Sequence, residues 1–360
     1  MNLSNTLKTV SVQLSAAIVF LIGVPGLLIQ FGVVPGNYFK SLGTIGIMGL
    51  VLLAYAYAVT YVLLRKVIQT SSGPNLGEIC KISRLLESER RHHEVVALGV
   101  NLSRYLWVNG RWRDRIEMGI IVWRAGGVIQ AFREQLMAAV DMVGWTSEVI
   151  GKTKQAEDYL KAAISLAREK DYPYFLAKAH RHLGGVHYRH KEFEEAKREL
   201  EHAEKAHEGI SDEKLRMEML AGIYFGRAEI HLGLKDFEKA INLNSQARKI
   251  YDDIDDESRK SKCITQEGRI LLARSKSEDL LHVHSILTKA LGLAEKYSRS
   301  EQLAEAHEGL GDYYCLQKEH SKAKAHFVRS KNIRLSMGFT YESTDIGKLE
   351  TKIMECKNEL

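Results

Sequence analysis

The hydrophobic and polar positions divide the 360-residue chain into two parts. Residues 1–74 are dominated by two long stretches without a charged side chain, one between Lys8 and Lys40 and one between Lys40 and Arg65. From Leu76 onward, apolar residues recur at the three- and four-residue intervals of amphipathic helices. The pattern therefore predicts an all-α protein with an apolar N-terminal part and an amphipathic remainder.

The two uncharged stretches are each long enough to cross about 30 Å of hydrocarbon as a helix. Pro35-Gly36-Asn37 lies between them and is a turn signal. We therefore predict two transmembrane helices, at about residues 10–31 and 42–64, within a membrane unit that covers residues 1–69. Membrane contact is expected through residues 10–64.

The charges around the two spans predict their orientation. Arg65, Lys66 and further basic residues follow the second span, whereas the short loop carries only Lys40. The positive-inside rule then places both termini in the cytoplasm, as a two-span protein of the inner (cytoplasmic) membrane. Neither span contains a charged residue or histidine, which favours an anchor over a transporter. Small residues such as Gly46 would allow close packing, either within the hairpin or in a homo-oligomer.

The amphipathic part contains a repeat, in which a small residue is followed twelve positions later by alanine. The clearest copy has Gly311 followed by Ala323. A single helix pair of this length cannot bury its own apolar face, so it needs neighbouring copies. The small anchor residues of the five copies, spaced 40, 44, 40 and 43 residues apart, are Gly144, Gly184, Ala228, Gly268 and Gly311. The Gly268 copy is degenerate: an apparent insertion around residues 275–279 displaces its alanine to Ala290.

This pattern resembles the tetratricopeptide repeat (TPR), which has Leu-Gly-x-x-Tyr on its first helix and Ala-x-x-x-Phe on its second. Leu310–Tyr314 matches the first motif, and Ala323 with Phe327 matches the second. The period exceeds the usual 34 residues and is similar to that of the long-helix variety that accompanies many bacterial signalling ATPases. No nucleotide-binding P-loop motif occurs in this chain.

The resemblance implies a right-handed α-solenoid of about five to six helix pairs over residues 96–338. The other boundaries follow from composition and helical spacing. A linker and juxtamembrane helix would occupy residues 70–95, and a C-terminal capping helix residues 339–360.

Charge and composition exclude several functions. The net charge is +6, but residues 1–74 contribute +4, so the rest carries 47 basic and 45 acidic residues. This near neutrality does not favour a nucleic-acid binder. The sequence has no motif of a nucleotide-binding, dinucleotide-binding, zinc-protease or serine-hydrolase site, so we expect neither an enzyme nor a cofactor.

The cysteine and histidine positions do not favour a metal site either. The four cysteines are far apart and lack zinc-ligand spacing. His180 and His187 fall on inward-facing positions of the repeat, where an aromatic side chain normally packs. We therefore interpret them as core residues rather than metal ligands.

The resemblance also indicates a binding site, because the first helix of each TPR pair lines a concave groove. On the last repeat the corresponding positions are acidic: Glu305, Glu308 and Asp312. Elsewhere the candidate groove residues are Lys178, Arg181, His182, Tyr188, Arg189, Lys262, Arg269, Arg104 and Trp107. We expect a groove that is basic in its middle and acidic at its C-terminal end. Such a groove suits a partner protein or an acidic or phosphorylated peptide; ordinary solvated helix positions are the alternative interpretation.

Two functions fit these features. The first is a membrane-anchored cytoplasmic scaffold or adaptor that binds a partner protein or peptide in the groove. The alternative is a two-span membrane effector of the bacterial-immunity type, whose solenoid senses a partner or anionic ligand and triggers membrane disruption.

Overall fold

The computed structural model describes residues 76–297, 300–339 and 344–358. The two predicted membrane spans lie outside the described residues. Among the helices of these ranges, none combines the length and hydrophobicity needed to cross a membrane. The segments Phe132–Met137, Ala138–Trp145 and Thr146–Val149 follow one another without a break, the middle one being a π-helix, and we number them together as α4.

All regular structure in the described residues is helical. The remaining helices are α1 (Leu76–Ser88), α2 (His92–Val108), α3 (Trp112–Val128), α5 (Thr153–Glu169), α6 (Pro173–Arg189), α7 (Phe193–His207), α8 (Glu213–Gly233), α9 (Phe237–Asp253), α10 (Glu257–Arg274), α11 (Ser277–Lys296), α12 (Ser300–Leu316), α13 (His320–Ser336) and α14 (Thr344–Asn358).

The helices pack in consecutive pairs, α2 with α3, α4 with α5, and so on to α12 with α13. Helix α1 packs on α2 and α3, and α14 packs on α13. The five small anchor residues lie on the first helix of the last five pairs, as the repeat predicts. The described chain is thus an all-α, TPR-like solenoid, which confirms the predicted fold class at this level.

The anchor residues are small because the two helices of a pair approach too closely for a longer side chain. A Cβ atom on Gly268 would lie 2.6 Å from Leu287 Cδ2. A Cβ atom on Gly311 would overlap the ring of Phe327, which is fully buried. The repeated small residue is therefore a steric requirement of the helix pair.

The long period of the repeat is taken up by long helices rather than by long loops. Most paired helices have 17 or more residues, and α8 has 21. The corners between them are tight, with one residue in the left-handed region, as at Lys191 (φ 63°) and Lys318 (φ 60°). After Lys191, the N–H of Glu192 donates to the carbonyl of His187 at 3.0 Å, as in a Schellman motif.

The C-terminal end of the solenoid packs against its N-terminal helices. Met337, Phe339 and Ile346 share an apolar cluster with Trp112, and partly buried Trp107 and Trp145 pack against it. We call these six residues the seam. Beside it, Arg113 Nε donates to the carbonyl of Gly338 at 3.1 Å. The seam joins residues about 190 or more positions apart, so the described solenoid closes on itself.

Candidate binding groove

The first helices of the pairs surround a cavity of about 530 Å³, which we call the groove. Of the nine candidate residues, the structure brings eight to its wall: Trp107, Lys178, Arg181, His182, Tyr188, Arg189, Lys262 and Arg269. The ninth, Arg104, is exposed on α2 and does not line the groove. Its side chain is exposed, whereas that of Trp107 is partly buried and packs in the seam.

The groove residues occupy repeated positions relative to the anchors. In four pairs the residue three positions before the anchor lines the groove: Asp141, Arg181, Phe225 and Glu308. The same register, applied to the pairs anchored at Gly144 and Ala228, would have identified Asp141 and Phe225, which the sequence analysis omitted. The groove is therefore formed by residues at equivalent positions of successive pairs, although the residue types at those positions differ.

The charge of the groove differs from the sequence expectation. Nine lysine or arginine residues line it, and nine aspartate or glutamate residues also do so. Asp141, Glu148 and Glu218 contribute acids next to the middle of the groove, where we expected a basic surface. The sequence-based prediction contained too much positive charge because its candidate residues included none from helices α4 and α8.

Most of these charges form ion pairs between neighbouring helix pairs. Nζ of Lys178 lies 2.8 Å from Asp141 Oδ1, and Nη1 of Arg269 lies 2.8 Å from Glu229 Oε1. Further pairs, with N···O distances of 2.7–3.9 Å, are Arg189–Glu148, Arg189–Asp345, Arg259–Glu218, Lys262–Glu301, Arg334–Glu308 and Arg334–Asp345. The groove is thus lined by an ion-pair network that links successive repeats.

Arg181 stands outside this network. Its Nη2 lies 3.1 Å from Nε2 of His182, whose Nδ1 lies 3.3 Å from Glu148 Oε2. Burial, assisted by the positive charge of Arg181, holds the pKa of His182 well below its usual value. The ring is therefore neutral, with Nδ1–H donating to Glu148 and Nε2 accepting from Arg181. Within the described chain, no carboxylate lies within 4.0 Å of the Arg181 guanidinium, although its positive charge, like that of Arg189, opposes the rise in the pKa of Glu148.

Glu305 on α12 is the acidic counterpart of Arg181. Among the described residues, its carboxylate has neither a hydrogen bond nor an ion pair, although it lines the groove. Burial raises its pKa to about 7, and the negative charge of Glu301 contributes, while Arg269 opposes the shift. Burial likewise raises the pKa of Glu148 to about 7, against the influence of Arg189.

A buried arginine supports the irregular part of α4. Arg115 on α3 donates from Nη1 to the carbonyl of Asp141, inside the π-helical segment, and to Oγ1 of Thr146, the residue that follows it, both at 2.5 Å. Its guanidinium also lies 5.5 Å from the centre of the Trp145 ring. Burial lowers the pKa of Arg115 to about 10. π-helical turns often occur at functional sites, and this one brings Asp141 and Trp145 to the groove.

Arg115 could not be identified from the sequence, because the spacing of apolar residues along a helix does not distinguish a buried arginine from an exposed one. Aromatic side chains add an apolar component to the groove: Trp107, Trp145, Tyr188, Phe225 and Tyr251. Nζ of Lys262 reaches across to the Trp145 ring, 5.9 Å from its centre. The site can therefore supply aromatic contacts together with charges of both signs.

The other histidines of α6 hold helices together. Nδ1 of His180 lies 2.7 Å from Glu199 Oε2, and Nδ1 of His187 lies 2.6 Å from Glu192 Oε2. Within the described ranges, no group of three or more His, Cys, Asp or Glu side chains is placed to hold a metal ion.

No protein-family model and no curated protein matches the sequence. Several solved structures are similar in fold. A signal transduction ATPase (STAND) protein with a tetratricopeptide repeat sensor from Pyrococcus horikoshii has 15% identity and a TM-score of 0.46, over 82% of this chain and 44% of that one. A Rap protein complexed with Competence and Sporulation Factor has 18% identity and a TM-score of 0.46, over 73% and 74%. BtubC from P. vanneervenii has 19% identity and a TM-score of 0.39, over 74% and 94%.

Proposed function

We propose that this chain is a membrane-anchored cytoplasmic scaffold or adaptor that binds a partner protein or peptide in the groove. The supporting observation is that eight candidate residues, chosen from repeat positions, converge on one cavity with aromatic and charged walls. An extended peptide can use the aromatic faces for contact area and the charges for orientation. In this proposal the chain is not an enzyme, and its groove charges serve recognition.

A site-specific photo-crosslinking experiment tests groove binding in the full-length chain. A benzophenone amino acid would replace Tyr188, which lines the groove, or Tyr105, which does not. We expect a partner crosslink at position 188, its loss with Arg181→Glu, and its retention with Arg104→Glu as the matched charge control. Equal crosslinking at both positions, or insensitivity to Arg181→Glu, would contradict groove binding.

Membrane anchoring is the second part of the proposal, and it is supported by the two uncharged stretches of residues 10–31 and 42–64. The full-length chain should remain in the membrane fraction after alkaline carbonate extraction, and a variant lacking residues 1–69 should be released. Expression of the full-length chain should leave the membrane potential unchanged. Depolarisation that requires residues 1–69 would favour the alternative effector function.

A further inference from the structure

The ion pairs of the groove leave few charges available to a ligand. Eight of the nine lining carboxylates lie within 4.0 Å of a basic side chain, and the exception is Glu305. Among the lining cations, Arg115 is held by carbonyl and hydroxyl oxygens, and Lys348 is exposed on α14. Arg181 is the remaining cation that faces the groove without a carboxylate.

Paired and unpaired charges differ in what a ligand gains from them. A ligand group that binds a paired arginine must compete with its internal carboxylate, so the net gain is small. An unpaired charge in a partly dehydrated groove already carries a desolvation cost in the free protein. A ligand group that binds this charge offsets that cost. Recognition should therefore be concentrated at Arg181 and Glu305.

The local geometry supports a binding role for Arg181. Its side chain lies along α8, where a Cβ atom on Gly222 would come within 3.1 Å of the arginine Cδ and 3.2 Å of its Nε. The glycine thus gives the arginine room to lie close to the helix. Among the described residues, the guanidinium makes one hydrogen-bond contact, to His182, so most of its N–H groups remain for a planar oxyanion.

Glu305 belongs to a different part of the groove. It lies on α12, and the charged groups around it include Arg269 on α10, Glu229 on α8, Arg334 on α13, Glu301 on its own helix and Arg189 on α6. The three arginines are each paired with another carboxylate, Glu229 for Arg269, Glu308 for Arg334 and Asp345 for Arg189. A cationic ligand group at Glu305 therefore has no internal competitor at hydrogen-bond distance.

We infer that the groove ligand is a peptide segment of mixed charge, whose oxyanion binds Arg181 and whose cationic group binds Glu305. The oxyanion is a carboxylate or a phosphate, and the cationic group is a lysine or arginine side chain or a free amino terminus. This inference rests on the proposed peptide-binding function. It replaces a purely acidic ligand with one that carries both signs.

The test uses the purified full-length chain in detergent and arrays of immobilised heptapeptides. One array carries one glutamate and one lysine at varied separation, and a second carries phosphoserine in place of glutamate. Two control arrays carry only glutamate or only lysine. We expect the mixed-charge arrays to bind at least roughly tenfold more strongly than either control, since a hydrogen-bonded charge contributes about 1.5–3 kcal/mol. The comparison of the first two arrays identifies the oxyanion.

Single substitutions then show which groove residue binds the anionic group of the peptide and which binds the cationic group. Arg181→Gln should remove the preference for the anionic residue, and Glu305→Gln the preference for lysine. Arg104→Gln and Glu201→Gln, on exposed residues outside the groove, should change neither. If glutamate-only peptides bind as strongly as mixed ones and Glu305→Gln has no effect, the mixed-charge inference is wrong while peptide binding stands. If no array binds above background, the proposed function fails as well.

Discussion

Two helix pairs of the solenoid, α6 with α7 and α12 with α13, have nearly the same framework and opposite groove chemistry. Both have a glycine anchor on the first helix, and both end the first helix with a left-handed residue, Lys191 or Lys318. Towards the groove, α6 presents Arg181 and its neighbours, whereas α12 presents Glu305 and Glu308. The comparison shows that the repeat motif specifies helix packing, while positions between the motif residues specify the charge of the groove wall.

The framework of the two pairs should respond most strongly to loss of the residue beneath the anchor. Phe327→Ala removes a fully buried ring from the α12/α13 pair and should cost about 3–5 kcal/mol of unfolding free energy. Leu200→Ala in the α6/α7 pair should cost about 2–5 kcal/mol. Thermal unfolding of the full-length variants measures both. A loss below 1 kcal/mol in one pair alone would show that the two frameworks are not equivalent.

The anchors themselves should distinguish the two pairs. Gly311→Ala drives its new Cβ into the Phe327 ring, and such overpacking costs about 1–3 kcal/mol. In Gly184→Ala the Cβ would lie 3.3 Å from the Ala196 carbonyl oxygen and 3.5 Å from Leu200 Cδ2. This milder contact is offset by the helix preference for alanine, about 1 kcal/mol. Melting temperatures should therefore fall for position 311 and change little for position 184; equal losses would contradict the steric argument.

The two groove faces should show opposite dependence of stability on pH. Glu305 has a pKa of about 7 in the folded chain and 4.5 ordinarily, so stability falls as pH rises from about 4.5 to 7. His182 has a lowered pKa in the folded chain, so stability falls as pH decreases below its ordinary pKa of 6.5. The difference in melting temperature between Glu305→Gln and the parent chain should therefore be more favourable to the variant at pH 8 than at pH 5.

His182→Gln is the matched measurement on the other face, and its relative melting temperature should be higher at pH 5 than at pH 8. Parallel pH profiles for the two variants would mean that the folded chain does not perturb these groups in opposite directions.

Substitutions at the two helix corners should have the smallest effect on stability, and the effect should be the same in both pairs. Lys191 and Lys318 adopt φ values of 63° and 60°, which a residue with a Cβ tolerates at a cost. Lys191→Gly and Lys318→Gly should each stabilise the chain by roughly 0.5–1 kcal/mol, because glycine at a helix C′ position avoids that cost. Chemical denaturation of the two variants tests this, and destabilisation of either would show that its lysine makes a compensating contact.

Local sequence was sufficient for the helix pairs and for much of the groove. The twelve-residue spacing from Gly311 to Ala323 reflects a contact within one pair, so it leaves a periodic signature in the sequence. The groove residues Arg181 and Tyr188 could be predicted because the TPR resemblance assigns positions in a well-formed pair. Arg104 lies on α2, whose pair has none of the five anchor residues, and there the resemblance did not place the residue in the groove.

Features that depend on distant contacts could not be predicted. The availability of Arg181 and Glu305 depends on which neighbouring acids and bases pair with each other across different helices. The seam joins Trp112 to Ile346, and no repeat relates the two residues. Arg115 reaches the π-helical segment of α4 from another helix, and the repeat spacing carries no signal of that contact.

The tryptophans of the seam also allow this region to be studied by intrinsic fluorescence. Three of the four tryptophans, Trp107, Trp112 and Trp145, lie where the two ends of the solenoid meet. Trp145 is flanked by the Arg115 guanidinium and the Lys262 ammonium, so its emission should shift when either cation moves. The fourth, Trp123, is not a seam residue; its ring packs edge-on against Tyr159. Groove occupancy and separation of the two ends can therefore be followed optically in the unlabelled chain.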